Sequence, residues 1–175
     1  MSDTALLREL VEVYGCLDDY LSDFSRWDSL IVNRRKPHTY RAFTLRPNGT
    51  RICLHRFEPC EQEEAFAHPH PWPAACKVLK GVYRMRIGFS EHGWTKPDGW
   101  MTTDLSEGST YAMTDEWAFH SVQPLTTCYS LMINHKPFDC PHELAPTTKG
   151  KDLDKMTEQQ LWDHLGDFKD IIQGS

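Results

Sequence analysis

The sequence predicts a mainly β domain, a sandwich or barrel of antiparallel strands, with an α-helix at each end. Short runs rich in branched and aromatic residues fill the middle of the chain, turn signals separate them, and both termini carry apolar residues at helical spacing. A chain of 175 residues is expected to form one domain. We divide it into an N-terminal helical segment (1–32), a barrel (38–138) and a C-terminal helix (155–173).

The two terminal segments have the pattern of amphipathic helices. Apolar residues recur every three or four positions from Leu6 to Phe24, and Gly15 is a point where this helix could end. At the other terminus, Thr157 and Gln160 have the spacing of a capping box ahead of an apolar stripe. Because such a stripe must be buried, we expect both helices to pack on the β body.

The strands of the middle region are separated by recognisable turns. Asn48 and Gly49 lie between two candidate strands and are a strong hairpin signal. The segment KVLKGVYRMRIG is typical of a strand, a glycine (Gly81) and a second strand. Within the second strand, Arg84 and Arg86 alternate with apolar residues, so we expect both arginines on the outer face.

Composition limits the functions that the chain can have. The net charge is −6 at pH 7, which disfavours a general nucleic-acid surface. We find neither an N-terminal signal peptide nor a stretch of about 20 apolar residues, so no membrane role is expected. The six cysteines form no C-x-x-C pair and are expected to be thiols of a cytoplasmic protein. A small molecule is the expected partner, and the sequence leaves open whether the chain forms a homodimer.

The segment HPHPWP carries the clearest chemical signal. In an extended segment His68 and His70 point to the same side, and the prolines between and after them favour that conformation. Two neutral imidazoles on one face form half of a transition-metal site. The alternative is a proline-stiffened loop with solvated histidines. His120 follows the turn-like TDEW and enters another candidate strand, from which we expect it to reach the pair across the barrel.

These positions resemble the two motifs of the cupin superfamily, small β-barrels with one metal inside. The first motif has two histidines around one residue, then a glutamate and a glycine, and the second supplies one histidine after a glycine and a turn. The resemblance covers roughly residues 40–138 and implies a double-stranded β-helix (jelly-roll) barrel. Ala74 stands where the glutamate would be. The matching positions are His68, His70, Gly81, Gly108 and His120.

The missing glutamate implies a three-histidine site for one divalent transition metal. Three neutral ligands leave the full charge on the ion, so such a site should attract an anionic ligand and retain open positions for substrate and dioxygen. Fe(II) is the expected metal, with Zn, Ni, Mn or Cu as alternatives. A carboxylate from Glu63, Glu64 or Glu116 could still reach the ion.

Among three-histidine cupins the chain most resembles cysteine dioxygenase and its thiol dioxygenase relatives. The segment YRAFTLRPNGT is similar to the family strand that carries an arginine for the substrate carboxylate, which implies this role for Arg41. Ala74 and Asn134 stand where some relatives have a crosslinked cysteine and tyrosine. Ser130, Met132 and Asn134 stand at the positions of the family's Ser-His-Tyr set, which Met132 and Asn134 interrupt. A thiol and a diketone therefore both remain open as substrates.

His55, in RICLHRF, is a candidate to move protons in the cavity, and the alternative is a hydrogen-bonded structural histidine. The sequence thus predicts a non-haem Fe(II) dioxygenase of a small anionic or chelating molecule, with Arg41 and His55 as catalytic candidates. Two alternatives stay open: a metal-dependent isomerase, lyase or hydrolase, and a barrel that binds a metal or small molecule without catalysis.

Overall fold

The computed structural model describes residues 2–89, 97, 99–138 and 153–174. Cys140, one of the expected thiols, lies outside these residues. The helices are α1 (Asp3–Gly15), α2 (Leu17–Leu21), a 3-10 turn (Phe24–Arg26) and α3 (Glu158–Gln173). The strands are β1 (Asp28–Val32), β2 (Thr39–Leu45), β3 (Arg51–Phe57), β4 (His68–Pro69), β5 (Ala74–Lys80), β6 (Val82–Phe89), β7 (Met101–Ser106), β8 (Thr110–Met113), β9 (Ala118–Pro124) and β10 (Cys128–Asn134).

The N-terminal helical segment is shorter than the sequence predicted. Helix α1 ends at Gly15, as expected, but residues 28–32 form strand β1 instead of continuing the helical segment. This strand pairs with β2 in antiparallel register, from Asp28 opposite Phe43 to Val32 opposite Thr39. Leu30, Ile31 and Val32 are adjacent branched residues, and an open edge beside β2 gives them partners that a helix would not.

The strands form two antiparallel sheets. One has the order β1-β2-β3-β10-β5-β8 and the other β4-β9-β6-β7. The chain passes between the sheets at Gly81, whose φ is +90°. A Cβ there would lie 2.5 Å from the carbonyl oxygen of Thr127, so only glycine fits. The Asn48–Gly49 hairpin is present too, with the N–H of Arg46 donating to the carbonyl of Thr50 at 2.8 Å.

Both terminal regions pack on the six-stranded sheet, as predicted. The main core cluster joins residues of α1, α2 and α3 to residues of β2, β3, β5 and β10. In α3, Leu165 and Phe168 are fully buried, and the capping box of Thr157 and Gln160 is formed. A second cluster, which includes Val78 of β5 with Tyr83 and Met85 of β6, joins the two sheets.

The outer face of β6 carries its two arginines, as the alternation predicted. Arg84 donates from Nε and Nη2 to the two carboxylate oxygens of Asp104, at 2.7 and 3.0 Å. The guanidinium of Arg86 lies 4.9 Å from the centre of the Trp100 ring. Neither arginine is therefore available to the interior.

Within the described part of the chain, no helix has the length and apolar character needed to cross a membrane.

Candidate metal and anion site

One cavity of about 120 Å³ is lined by the arginine and the four histidines that the sequence singles out, Arg41, His55, His68, His70 and His120. Strands of both sheets and the loop before β5 contribute to its wall. The residues that line the cavity include Arg41, His55, Phe57, Phe66, His68, His70, Trp72, Cys76, Tyr111, His120, Val122, Ser130 and Met132. The catalytic and metal candidates thus share one space.

His68 and His120 are direct partners in the β4–β9 ladder. We expected His120 to approach from across the barrel, but it lies on the neighbouring strand of the same sheet. Antiparallel pairing brings the two Nε2 atoms to 2.9 Å from each other. Two ligand nitrogens about 2.1 Å from one ion and about 90° apart are separated by about 3.0 Å. The spacing of this pair therefore suits two adjacent positions of an octahedral ion.

His70 is oriented by the backbone of the residue two positions on. Its Nδ1 lies 2.9 Å from the carbonyl oxygen of Trp72, which accepts the ring N–H and leaves the lone pair on Nε2. Metal-bound histidines usually have this arrangement, since the carbonyl fixes the tautomer and the ring orientation. The centre of the His70 ring is 5.1 Å from that of His120 and 6.5 Å from that of His68.

Burial keeps the three imidazoles neutral. It lowers the pKa of His68 to about 4 and that of His70 to about 3, and it lowers the pKa of His120 well below its usual range. The neighbouring rings add to this effect for His70 and His120. Because a histidine binds a metal only through a deprotonated nitrogen, the three rings are in the form that coordination requires.

Three neutral imidazoles are a suitable set of donors for a transition metal. In the structure, however, only His68 and His120 bring their Nε2 atoms close together. The buried Nδ1 atom of His120 forms no hydrogen bond with the described residues. Among the described residues, no group of three or more His, Cys, Asp or Glu side chains is arranged to hold an ion. The His68–His120 pair already has ligand spacing. Coordination by all three histidines therefore requires Nε2 of His70 to approach that pair.

Arg41 brings a permanent positive charge to the same cavity. Its Nε–H donates to Nε2 of His55 at 2.7 Å. Burial lowers the pKa of Arg41, but a guanidinium stays charged in proteins. No carboxylate among the described residues lies within ion-pair distance of it. Burial and the nearby Arg41 lower the pKa of His55 well below its usual range, so His55 is neutral.

None of the acidic residues considered as extra ligands lines the cavity. Glu63 is exposed, and Glu64 accepts a hydrogen bond from Nζ of Lys36 at 2.7 Å on the surface. Glu116 is partly buried in the turn before β9 and is likewise absent from the cavity wall. The wall formed by the described residues thus carries one formal charge, that of Arg41, and it is positive.

The residues at the positions of the thiol dioxygenase crosslink and of the Ser-His-Tyr set do not share one environment. Ala74 is buried in β5, and Asn134 accepts a weak hydrogen bond from the thiol of Cys53 at 3.7 Å. Ser130 and Met132 line the cavity. Phe66 and Trp72 also line the cavity, and of these two Phe66 was not expected from the sequence. Their positions two residues before His68 and two after His70 were the available signal, because alternate residues of an extended segment share a face.

Comparison with solved structures supports the fold. A crystal structure of Fe(II)-HppE with an alternative substrate, (S)-1-HPP, has a TM-score of 0.52 and 12% identity over 64% of this chain and 57% of that chain. Hydroxypropylphosphonic acid epoxidase from S. wedmorenis gives 0.51 and 12% over 64% and 56%.

Identities this low bear on the fold alone, and the chain spans little more than half the length of the first of these proteins. The predicted fold class, a cupin-like jelly roll with helices at both termini, is confirmed. No protein-family model matches the sequence, and no curated protein matches it. The three-histidine metal site and the kinship to thiol dioxygenases stay predictions.

Proposed function

We propose that this protein is a metal-dependent cupin enzyme that oxidises a small organic anion with dioxygen at a non-haem Fe(II) centre. The observation that carries the proposal is the convergence, in one small cavity, of three neutral imidazoles and an arginine that has no carboxylate partner among the described residues. His68, His70 and His120 would hold the metal. Fe(II) supplies dioxygen activation in sites of this ligand type, which keep open coordination positions.

Arg41 gives the cavity its selectivity for an anion. Arg41 is partly buried, and such a charge costs stability when no opposite charge among the described residues lies near it. Its presence beside the histidines is best explained by a ligand that supplies the negative charge. A carboxylate suits this role because it matches the guanidinium fork with paired hydrogen bonds. A neutral diketone would leave the charge of Arg41 uncompensated, and we therefore favour an acid.

The size of the cavity limits the substrate further. An apolar cavity of about 150 Å³ can bind benzene, which has six non-hydrogen atoms. A volume of about 120 Å³ therefore suits a substrate of about six such atoms or fewer. Phe57, Phe66, Val122 and Met132 supply apolar wall around the polar groups and would exclude water from the bound molecule.

Iron is the first metal to test. HppE, whose fold this chain shares, was crystallised with Fe(II) and also with Co(II).

The cytoplasm is the compartment that we propose, because the described cysteines Cys16, Cys53, Cys60, Cys76 and Cys128 are all free thiols.

The deciding experiment combines metal analysis with oxygen uptake. Protein purified without added metal is assayed for bound iron and zinc, and the Fe(II)-loaded form is then offered small carboxylic acids that carry a thiol, hydroxyl or keto group. We expect dioxygen consumption only with a chelating acid. Anaerobic turnover by a zinc form would replace this proposal with the isomerase, lyase or hydrolase alternative.

The Arg41→Lys variant tests the anion separately. Lysine keeps the charge and loses the fork, so KM for the acid should rise by an amount equivalent to about 1–3 kcal/mol while metal content stays the same. Arg84→Lys is the matched control, since Arg84 lies on the outer face and bonds to Asp104. Equal KM values for the two variants would contradict a role for Arg41 in binding.

A further inference from the structure

We propose that His55 is a positioning residue that holds the guanidinium of Arg41 in place for the anion, and that it does not accept a proton from the substrate. This role differs from the proton transfer that the sequence suggested. It rests on the proposed function for the identity of the bound anion. The observations that support it concern the register of two strands, the direction of one hydrogen bond and the Nη groups of Arg41.

The strand register places the two side chains together. Arg41 on β2 lies directly opposite His55 on β3, and both line the cavity. Directly opposed residues of an antiparallel pair have Cβ atoms about 5 Å apart, which is close enough for their side chains to bond. The contact therefore follows from the register of the hairpin that joins β2 and β3.

The direction of the hydrogen bond assigns the tautomer of His55. A guanidinium has donors and no acceptor, so Nε of Arg41 must donate and Nε2 of His55 must accept, at 2.7 Å. A neutral imidazole has one lone pair, and here Arg41 engages it, so the ring proton is on Nδ1. A general base needs a free lone pair within reach of the proton that it removes, which this tautomer does not provide.

The rest of the guanidinium has no partner among the described residues. The Nη groups of Arg41 form no hydrogen bond with them. Arg41 is only partly buried, and it borders the cavity. With Nε fixed by His55, the two Nη groups are restricted to one orientation, in which they can bind two oxygens of one carboxylate.

Two variants of His55 separate positioning from proton transfer. His55→Gln keeps an acceptor, the amide oxygen, for the Nε–H of Arg41, whereas His55→Leu keeps similar bulk without one. Acetate is the probe, and its affinity is measured by titration of the full chain with metal removed, so that binding reports on Arg41. We expect His55→Leu to weaken acetate binding at least about tenfold and His55→Gln to stay within about threefold. His38→Gln, at an exposed histidine, should bind acetate like the unmodified protein.

A nitrogen-15 NMR measurement on the unmodified protein supplies the second readout. We expect His55 in the Nδ1–H tautomer and a slowly exchanging Nε–H signal from Arg41. An Nε2–H tautomer would overturn the proposal, as would an equal loss of acetate affinity in the Gln and Leu variants. If His55→Leu does not fold, the tautomer and the Gln variant still decide. Failure of the unmodified protein to bind acetate, with the expected tautomer present, would contradict the anion-binding function instead of the hydrogen bond.

Discussion

Two polar clusters of this protein contrast in how their charges are compensated. The first, the Glu9 cluster, joins α1 to the β2–β3 hairpin. One carboxylate oxygen of Glu9 accepts from Arg46, Asn48 and Thr50 at 2.8, 3.1 and 2.8 Å, and the other lies 2.7 Å from Nε2 of His135. Burial raises the pKa of Glu9, but the hydrogen bonds from Thr50, His135 and Asn48 lower it by more.

The second cluster is the cavity, where compensation is incomplete. Arg41 has a neutral histidine as its hydrogen-bond partner, and the buried Nδ1 atom of His120 has no partner among the described residues. A cluster with matched donors, acceptors and charges stabilises the fold, whereas an unmatched one costs stability. The contrast separates polar residues whose groups are matched within the fold from those whose groups are not.

The largest expected effect is the loss of metal from the cavity. His120→Ala removes one of the two nitrogens that already have ligand spacing, so metal affinity should fall by about 100-fold or more. Circular dichroism should show a folded barrel, because a small apolar residue at this buried position leaves no charge or unpaired polar atom. Metal content per chain, measured by atomic spectroscopy, is the readout, and the exposed His38→Ala is the control. Equal metal content in both variants would remove His120 from the site.

The next largest effect concerns the stability of the protein in acid, which should depend on buried His164. Burial lowers the pKa of His164 to about 4, below the value near 6.5 of an unfolded histidine. The unfolded state then binds more protons between these values, so stability is complete above pH 6.5 and falls as the pH drops towards 4. His164→Gln should reduce this loss by up to about 3 kcal/mol, measured by urea unfolding at several pH values. An unchanged pH slope would show that His164 is not kept neutral by the fold.

Removal of the compensated charge should destabilise the protein at neutral pH. Glu9→Gln loses the charge that Arg46 faces, at an expected cost of about 2 kcal/mol in the free energy of unfolding. Because the pKa of Glu9 is lowered in the folded state, this contribution is present above about pH 4.5 and is lost as the pH falls through the folded pKa. Glu12→Gln, an exposed change on the same helix, is the control and should cost nothing measurable.

The smallest expected effect completes the comparison. Arg41→Met removes an uncompensated charge and keeps an unbranched side chain, so the free energy of unfolding should change by less than about 1 kcal/mol or increase. Arg46→Met, in the Glu9 cluster, should destabilise by more. The two variants are compared by chemical unfolding under one condition. A large loss of stability in Arg41→Met would show that Arg41 belongs to the structural class after all.

Local patterns in the sequence determined much of the fold. The Asn48–Gly49 turn, the glycine between β5 and β6, the capping box of α3 and the alternation of β6 were all predicted, because each depends on residues close together in the chain. Strand β1 was missed. Its formation depends on an open edge of β2, which is not a property of residues 28–32 themselves.

The sequence by itself also determined which residue types meet in the cavity, since the spacing of His68 and His70 fixes a shared direction and the turn before His120 begins a strand. Tertiary structure alone decided their partners. The β4–β9 register places His120 opposite His68, and the β2–β3 register places Arg41 opposite His55. It also decided that Glu63, Glu64 and Glu116 do not line the cavity wall. Register and burial arise from contacts between segments distant in the chain, and a local pattern contains no record of them.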